Sequence, residues 1–349
     1  MTLTDLGVPA LRISRPAPTA GPLIDTFGRI ATDLRVSLTD RCNLRCTYCM
    51  PAEGLDWLPG SQLLSAAELS RLLRIGITRL GITNVRFTGG EPLVSRNLEE
   101  VIAAAAALRP RPQIAMTTNG IGLAARAAGL KRAGLDRVNV SLDTVDATHF
   151  AQITRRDRLD DVLAGLAGAA AAGLAPVKVN AVLDPRTGLD DVVPLLRFCL
   201  EHEYQLRIIE QMPLDAGHEW SRDRAIGADA VLDTLRRYFD LRPDPAPRGS
   251  APAALWRVDG SAATVGIIAS VSEAFCGACD RTRLTADGQI RNCLFSTAET
   301  DLRGLLRGGA GDEEIETAWR QAMWVKAAGH GINDPSFVQP SRPMSAIGG

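Results

Sequence analysis

The sequence predicts an α/β fold, an α/β barrel or an open part of one, and three observations carry that reading. Short apolar, mostly β-branched segments recur near Val36, Val85, Ile114, residues 138–140, residues 177–179 and Ile208, with alanine- and leucine-rich helical stretches between them. No hairpin signal separates these six units, so their strands are joined through helices and run parallel. Polar residues gather where the strands end, which is where parallel α/β architectures place functional groups. A doubly wound sheet is the competing arrangement, because spacing alone does not say where the strands close. No glycine fingerprint of the dinucleotide type follows the first strand.

With 349 residues, 46% hydrophobic and 23% charged, the chain has the composition of a globular protein with one large domain or two smaller ones. Its longest apolar runs fall short of the roughly 20 residues a membrane-spanning helix needs. A net charge of -1 gives no electrostatic case for nucleic acid or an anionic membrane as a bulk partner. Residues 1–24 carry Pro9, Pro16, Pro18 and Pro22 with little periodicity and no secretory pattern, so they are expected to be a flexible arm on a cytoplasmic protein.

Taken in order, residues 33–39 alternate Leu34, Val36 and Leu38 against Arg35, Ser37 and Thr39, a strand with one polar face. Ser65-Ala66-Ala67-Glu68 is a capping box that opens the first helix. The strand–helix series then runs to about residue 215. A helix over 228–238 leads into the proline-rich run 242–252, a linker or long loop. Short strands are expected at 256–258 and 264–268 and helices at 299–306 and 313–327, followed by a tail rich in Pro and Gly.

The first strand feeds Cys42-Asn43-Leu44-Arg45-Cys46-Thr47-Tyr48-Cys49, three thiols in a C-x3-C-x2-C spacing. Three cysteines this close cannot all pair as disulfides, and they gather readily around a soft metal centre. A four-cysteine zinc site would be one ligand short, whereas a [4Fe-4S] cluster on three thiolates leaves one iron open. With Thr39-Asp40-Arg41 before it and an aromatic before its last cysteine, the run resembles the signature of the radical S-adenosylmethionine (SAM) superfamily. A structural zinc knuckle completed by a distant cysteine is the alternative. Cys199, at helical spacing among apolar residues, is expected to be a small buried hydrophobe.

The later strands exit through Thr88-Gly89-Gly90-Glu91-Pro92, Thr117-Thr118-Asn119-Gly120, Ser141-Leu142-Asp143 and Glu210-Gln211-Met212-Pro213. Gly89-Gly90-Glu91 resembles the superfamily's GGE motif, which contacts the amino group of SAM. Arg35, Arg86 and Lys178 lie within strands among apolar neighbours, where unpaired charge is poorly tolerated; a bound polyphosphate or nearby carboxylates would supply the anions. Cys276, Cys279 and Cys293 form a second trio, with zinc competing if Cys199 joined it. Between its members, Arg281 and Arg283 share one face of an extended segment suited to an anion.

Together with the terminal Gly348-Gly349, these features are similar to a two-cluster family of radical SAM enzymes in molybdenum cofactor biosynthesis. That resemblance implies a partial (β/α)6 TIM-type barrel over residues 25–240 and a C-terminal region, 241–349, carrying a second cluster. It implies one [4Fe-4S] cluster on Cys42, Cys46 and Cys49 and another on Cys276, Cys279 and Cys293. Tyr48, Gly90, Ser141 and Met212 would contact SAM, although Met212 alone reads as core. Arg35, Arg86, Thr117, Lys178, Arg281 and Arg283 would hold GTP, and Gly348 and Gly349 would reach back into the site for turnover. The family further implies a reductant protein, a homodimer and cyclic pyranopterin monophosphate synthase as functional partner. A peptide-modifying two-cluster enzyme and a zinc-stabilised binding module remain as other readings.

Overall fold

The computed structural model describes residues 16–348. Six strands stand side by side in chain order: β1 (Asp33–Ser37), β2 (Asn84–Thr88), β3 (Gln113–Thr118), β4 (Arg137–Ser141), β5 (Lys178–Val182) and β6 (Gln205–Ile209). Each is parallel to the next. The crossovers are α1 (Ala66–Thr78), α2 (Leu98–Ala107), α3 (Leu123–Ala133), the pair α4 (Ala147–Thr154) and α5 (Leu159–Ala171), and α6 (Val192–Glu201). The strand order never turns back, so the sheet is not doubly wound, and it does not close on itself, which leaves an open, partial barrel.

Alternation along the strands explains the layering. Leu34 and Val36, Val85 and Phe87, Ile114 and Met116, Val138 and Val140, Val179 and Ala181, and Leu206 and Ile208 all enter one apolar core with the helices. Successive residues point to opposite faces, so Arg35, Arg86, Thr117, Arg137, Ser141, Lys178, Asn180 and Arg207 belong to the other face. The helix layer is set locally too. In the Ser65 capping box the Glu68 N–H donates to Ser65 Oγ at 3.2 Å and the Ser65 N–H donates to the Glu68 carboxylate at 2.8 Å. Cys199 is fully buried on α6, as its spacing predicts.

The remaining elements flank this frame. After α7 (Ala228–Arg236), an antiparallel meander of β7 (Leu241–Pro243), β8 (Ala254–Val258) and β9 (Thr264–Ile268) extends the sheet beyond β6, with β9 parallel to it. The chain then crosses to the opposite side, where β10 (Arg281–Leu284) pairs parallel with β1, and β11 (Gln289–Arg291) and β12 (Thr300–Asp301) follow antiparallel. Helices α8 (Leu302–Arg307), α9 (Asp312–Trp324) and α10 (Met344–Ile347) complete the fold. The expected strands at 256–258 and 264–268 are present and the extended segment carrying Arg281 and Arg283 is β10, while β11 was not anticipated and the helix expected at 299–306 begins only at Leu302, after the two-residue β12.

Of the expected arm, residues 1–15 lie outside the described residues. Leu23 is fully buried and its N–H donates to the Leu80 carbonyl at 3.1 Å. The Arg320 guanidinium donates to the carbonyls of Gly21 and Pro22, so packing begins ahead of residue 25. Among the described residues no helix is long and apolar enough to cross a membrane.

Candidate active site

Strand register assembles the charges. Arg283, Arg35 and Arg86 are direct neighbours on β10, β1 and β2, three guanidiniums abreast across adjacent strands. Like charges so placed repel, and burial removes the water that would screen them. Arg35 is 8% exposed and Arg283 7%. Arg137 on β4, Lys178 on β5 and Arg207 on β6 continue the basic face. Asp33 is the carboxylate closest to hand, 3.4 Å from Arg35 and 4.0 Å from Arg86, with no directed hydrogen bond to either. Burial works to raise its pKa, but the surrounding arginines outweigh burial and hold it below its ordinary value.

The cations show the converse. Burial first, then Arg207, Arg137 and Arg86, bring Lys178 down to about 7. Burial and neighbouring cations lower Arg207 to about 10 and Arg283 to about 9. A guanidinium keeps its proton in a protein, so this strain is relieved by an anion instead. Arg35 Nε, Arg86 Nε and an Arg137 terminal nitrogen are buried without hydrogen-bond partners.

Above this floor lies a cavity of about 290 Å³ lined by Arg35, Arg86, Thr117, Ser141, Met212, Arg281 and Arg283, and by all three rear cysteines. Lys178 does not line it; its charge acts from beneath, beside Arg86, Arg137 and Arg207. Next to it a second cavity of about 160 Å³ is lined by Cys42, Cys46 and Cys49 with Gly90, Thr117 and Ser141. Tyr48, Thr117, Ser141, Asp143 and Met344 border both spaces, so the two trios face adjoining cavities.

The front cysteine loop is held by the second strand's exit. The Gly90 N–H donates to the Thr39 carbonyl at 2.7 Å and the Glu91 N–H to the Arg41 carbonyl at 2.8 Å. A Cβ on Gly90 would lie 2.3 Å from the Arg41 oxygen, so only glycine lets these backbones meet. Glu91 accepts from Leu93 N–H at 2.9 Å, Thr118 Oγ at 2.7 Å and Asn119 N–H at 2.6 Å, tying the third exit to the second. Burial lifts its carboxyl to about 7 despite those donors. Glu210 likewise accepts from the N–H groups of Ala228, Val271 and Ser272, which braces the loop leading to Cys276.

Both trios suit a thiolate-held iron–sulfur group. All six cysteines are free of disulfides. Leu44 N–H and the Asn119 amide point at Cys42 Sγ at 3.4 and 3.8 Å, and Arg281 at Cys279 Sγ at 3.7 Å, donors placed to stabilise sulfur anions. Burial pushes Cys49 up to about 12, so its proton leaves only in exchange for a soft cation. Among the described residues no three or more His, Cys, Asp or Glu side chains gather closely enough for a single ion. Cys199 lines neither cavity.

Gly348 packs against the first two strands beside this region. Its carbonyl accepts a hydrogen bond from Arg283, and at φ +86° it fits against Ser37 and Thr88, where a Cβ would lie 2.5 Å from Thr88 Oγ. Gly349 lies outside the described residues. Sequence reading missed Arg137, Arg207 and Asn180, and named Asp143 only as part of a strand exit without a role. The signal for the first three was their place in the strand alternation; Asp143, which accepts the Tyr48 hydroxyl at 2.7 Å and is raised by burial to about 6, follows the fourth strand's exit.

A SAM-type thiol loop on an open parallel barrel defines the class, and comparison agrees. The Radical SAM superfamily profile matches residues 36–199 and that of Molybdenum Cofactor Synthesis C matches residues 204–332. The fold is shared by Streptococcus suis SuiB bound to S-adenosylmethionine, with a TM-score of 0.53 and 14% identity over 78% of this chain and 63% of that one. The chain is a radical SAM enzyme, a class that uses SAM and an iron–sulfur cluster. It is 78% identical to the GTP 3',8-cyclase of Mycobacterium sp. (strain KMS) and 73% identical to that of Mycobacterium marinum (strain ATCC BAA-535 / M), over the full length of all chains. It is 70% identical, again over both full lengths, to GTP 3',8-cyclase 2 of Mycobacterium tuberculosis (strain CDC 1551 / Oshkosh). The chain belongs to the GTP 3',8-cyclase family.

Proposed function

We propose that this chain cyclises GTP to 3',8-cyclo-7,8-dihydro-GTP, the first step of molybdenum cofactor biosynthesis. The observation that carries the reading is a pair of adjoining cavities, each lined by one thiol trio, with a row of arginines on the floor of the larger. A triphosphate supplies the negative charge that this floor lacks. In this reading residues 25–240 serve SAM, and residues 241–349 hold a second [4Fe-4S] cluster on Cys276, Cys279 and Cys293.

Cys42, Cys46 and Cys49 would hold the front cluster, which with SAM would supply the radical chemistry that takes hydrogen from ribose C3'; the C3'–C8 bond that follows leaves a ring radical, which one electron from the reductant protein and one proton would convert to the 7,8-dihydro product. The rest is positioning. Tyr48, Gly90 and Ser141 hold SAM at the front cavity, and Met212 meets it from the adjoining larger one. Arg35 and Arg86, with Arg207 beside them, grip the phosphates from the cavity floor, Lys178 and Arg137 add charge to the nucleotide site from beneath, and Thr117 meets the nucleotide between the two spaces. Arg281 and Arg283 hold the nucleotide beside the rear trio, where Arg283 also donates to the Gly348 carbonyl, and Gly348 and Gly349 serve turnover. Phosphate contacts remote from C3' therefore bear on rate as well as affinity, because they fix the attack geometry.

A cytoplasmic homodimer fed by a reductant protein, with cyclic pyranopterin monophosphate synthase acting on its product, fits this chemistry. The test is 5'-deoxyadenosine release by anaerobically reconstituted protein with dithionite and SAM, with and without GTP. Release that rises sharply only with GTP supports the assignment; release indifferent to GTP keeps the radical chemistry and discards the substrate.

A further inference from the structure

Lys326, just past α9, is only 3% exposed, yet its ammonium meets no carboxylate among the described residues. It donates to the Arg281 carbonyl at 2.9 Å and lies 3.4 Å from both the carbonyl oxygen and the Sγ of Cys279. A buried ammonium needs negative charge nearby, and the side chain in reach able to carry it is the Cys279 sulfur. Neither Cys276 nor Cys293 receives a hydrogen bond from a charged side chain among the described residues, so the rear trio is electrostatically lopsided. The backbone that carries Lys326 is anchored independently. Arg29 donates to the carbonyls of Ala327, Ala328 and Cys276, at 2.6, 2.9 and 2.8 Å, which fixes the segment without any help from the lysine side chain.

We propose that Lys326 is a positioning residue for the rear centre: its ammonium–sulfur hydrogen bond orients Cys279 as a ligand and raises the reduction potential of the group bound there. A cation and an N–H donor at a ligating sulfur withdraw electron density and favour the more negative, reduced state. The proposal rests on the two-cluster reading above, and its test separates the two.

The full-length chain with Cys42, Cys46 and Cys49 all changed to Ala can carry iron only at the rear. In that background Lys326, Lys326→Met, Lys326→Gln and Lys326→Arg are compared by iron per chain and by EPR-monitored redox titration. Lys326→Met is expected to shift the reduced-to-oxidised ratio at a fixed potential at least tenfold towards oxidised, about 59 mV for a one-electron couple. Lys326→Arg keeps the charge and is expected to stay within about threefold of the parent. A fully loaded Lys326→Met with the parent's potential overturns the proposal. Should Lys326→Met and Lys326→Gln fail to hold iron, retention by Lys326→Arg supports it, and loss in that variant too overturns it by showing a space-filling role. A folded parent that binds no iron refutes the second cluster itself.

Discussion

Lys178 gives the floor of the site a pH dependence near neutrality. Its pKa of about 7 comes from burial first and from Arg207, Arg137 and Arg86 next, and a triphosphate cancels the second cause by screening those cations. The neutral form leaves the face one cation short of six, so the apparent Kd rises as the protonated fraction falls, by at most the inverse of that fraction. That fraction is about one half at pH 7 and about one eleventh at pH 8, so GTP binding weakens by up to about fivefold over this unit. The sign is fixed: rising pH removes the charge that the ligand needs. Isothermal titration of GTP between pH 6 and 8.5 reads the slope, and repeating it in buffers of different ionisation enthalpy reads proton uptake. Lys178→Arg, which keeps its charge, is expected to flatten the profile. Equal slopes in the two proteins would refute the reasoning. The same depressed pKa means that, without nucleotide, the unfolded chain binds more protons between pH 7 and about 10, so stability rises with pH across that window.

Arg283→Ala is expected to cut GTP-dependent 5'-deoxyadenosine release at least tenfold with iron per chain unchanged, and equal loss of both would show that the residue supports folding. Gly90→Ala breaks the hydrogen bonds from Gly90 and Glu91 to the cysteine loop. At about 1 kcal/mol each, it should lower apo-protein stability by about 2 kcal/mol in urea unfolding, and an unchanged midpoint would contradict the docking described above. Asp33→Asn removes the carboxylate beside Arg35 and Arg86, so the nucleotide-free protein should melt earlier while GTP raises its melting temperature by more than in the parent. Because Asp33 is held below the usual carboxylate range, that deficit should stay constant from pH 7 down to about pH 5.

Much of this was legible in the chain because strands and cysteine loops have local signatures. The six parallel strands follow from apolar segments separated by helical spacing, and the two trios from thiol spacing alone. The register was not legible. Nothing local says that Arg283 lies beside Arg35, since β10 pairs with β1 across some 250 residues of sequence, from Arg283 to Arg35. Arg137 and Arg207 each look like a solvated charge until neighbouring strands bury them. Lys326 carries no motif, and its meaning comes entirely from the sulfur it faces. Gly348 sits against Ser37 and Thr88, a contact that sequence alone gives no reason to expect.

The row of guanidiniums divides labour within the cavity. Its attraction counts negative charges and takes no notice of what they are attached to, so the floor should welcome ATP, CTP or inorganic triphosphate as readily as GTP. Discrimination among nucleobases must then arise at the far wall, where Arg281, Phe295, His330 and the rear cysteines line the space. Competition by non-guanine triphosphates would be a standing feature of such an enzyme, and a change of base preference could be engineered at that wall with the phosphate grip left untouched.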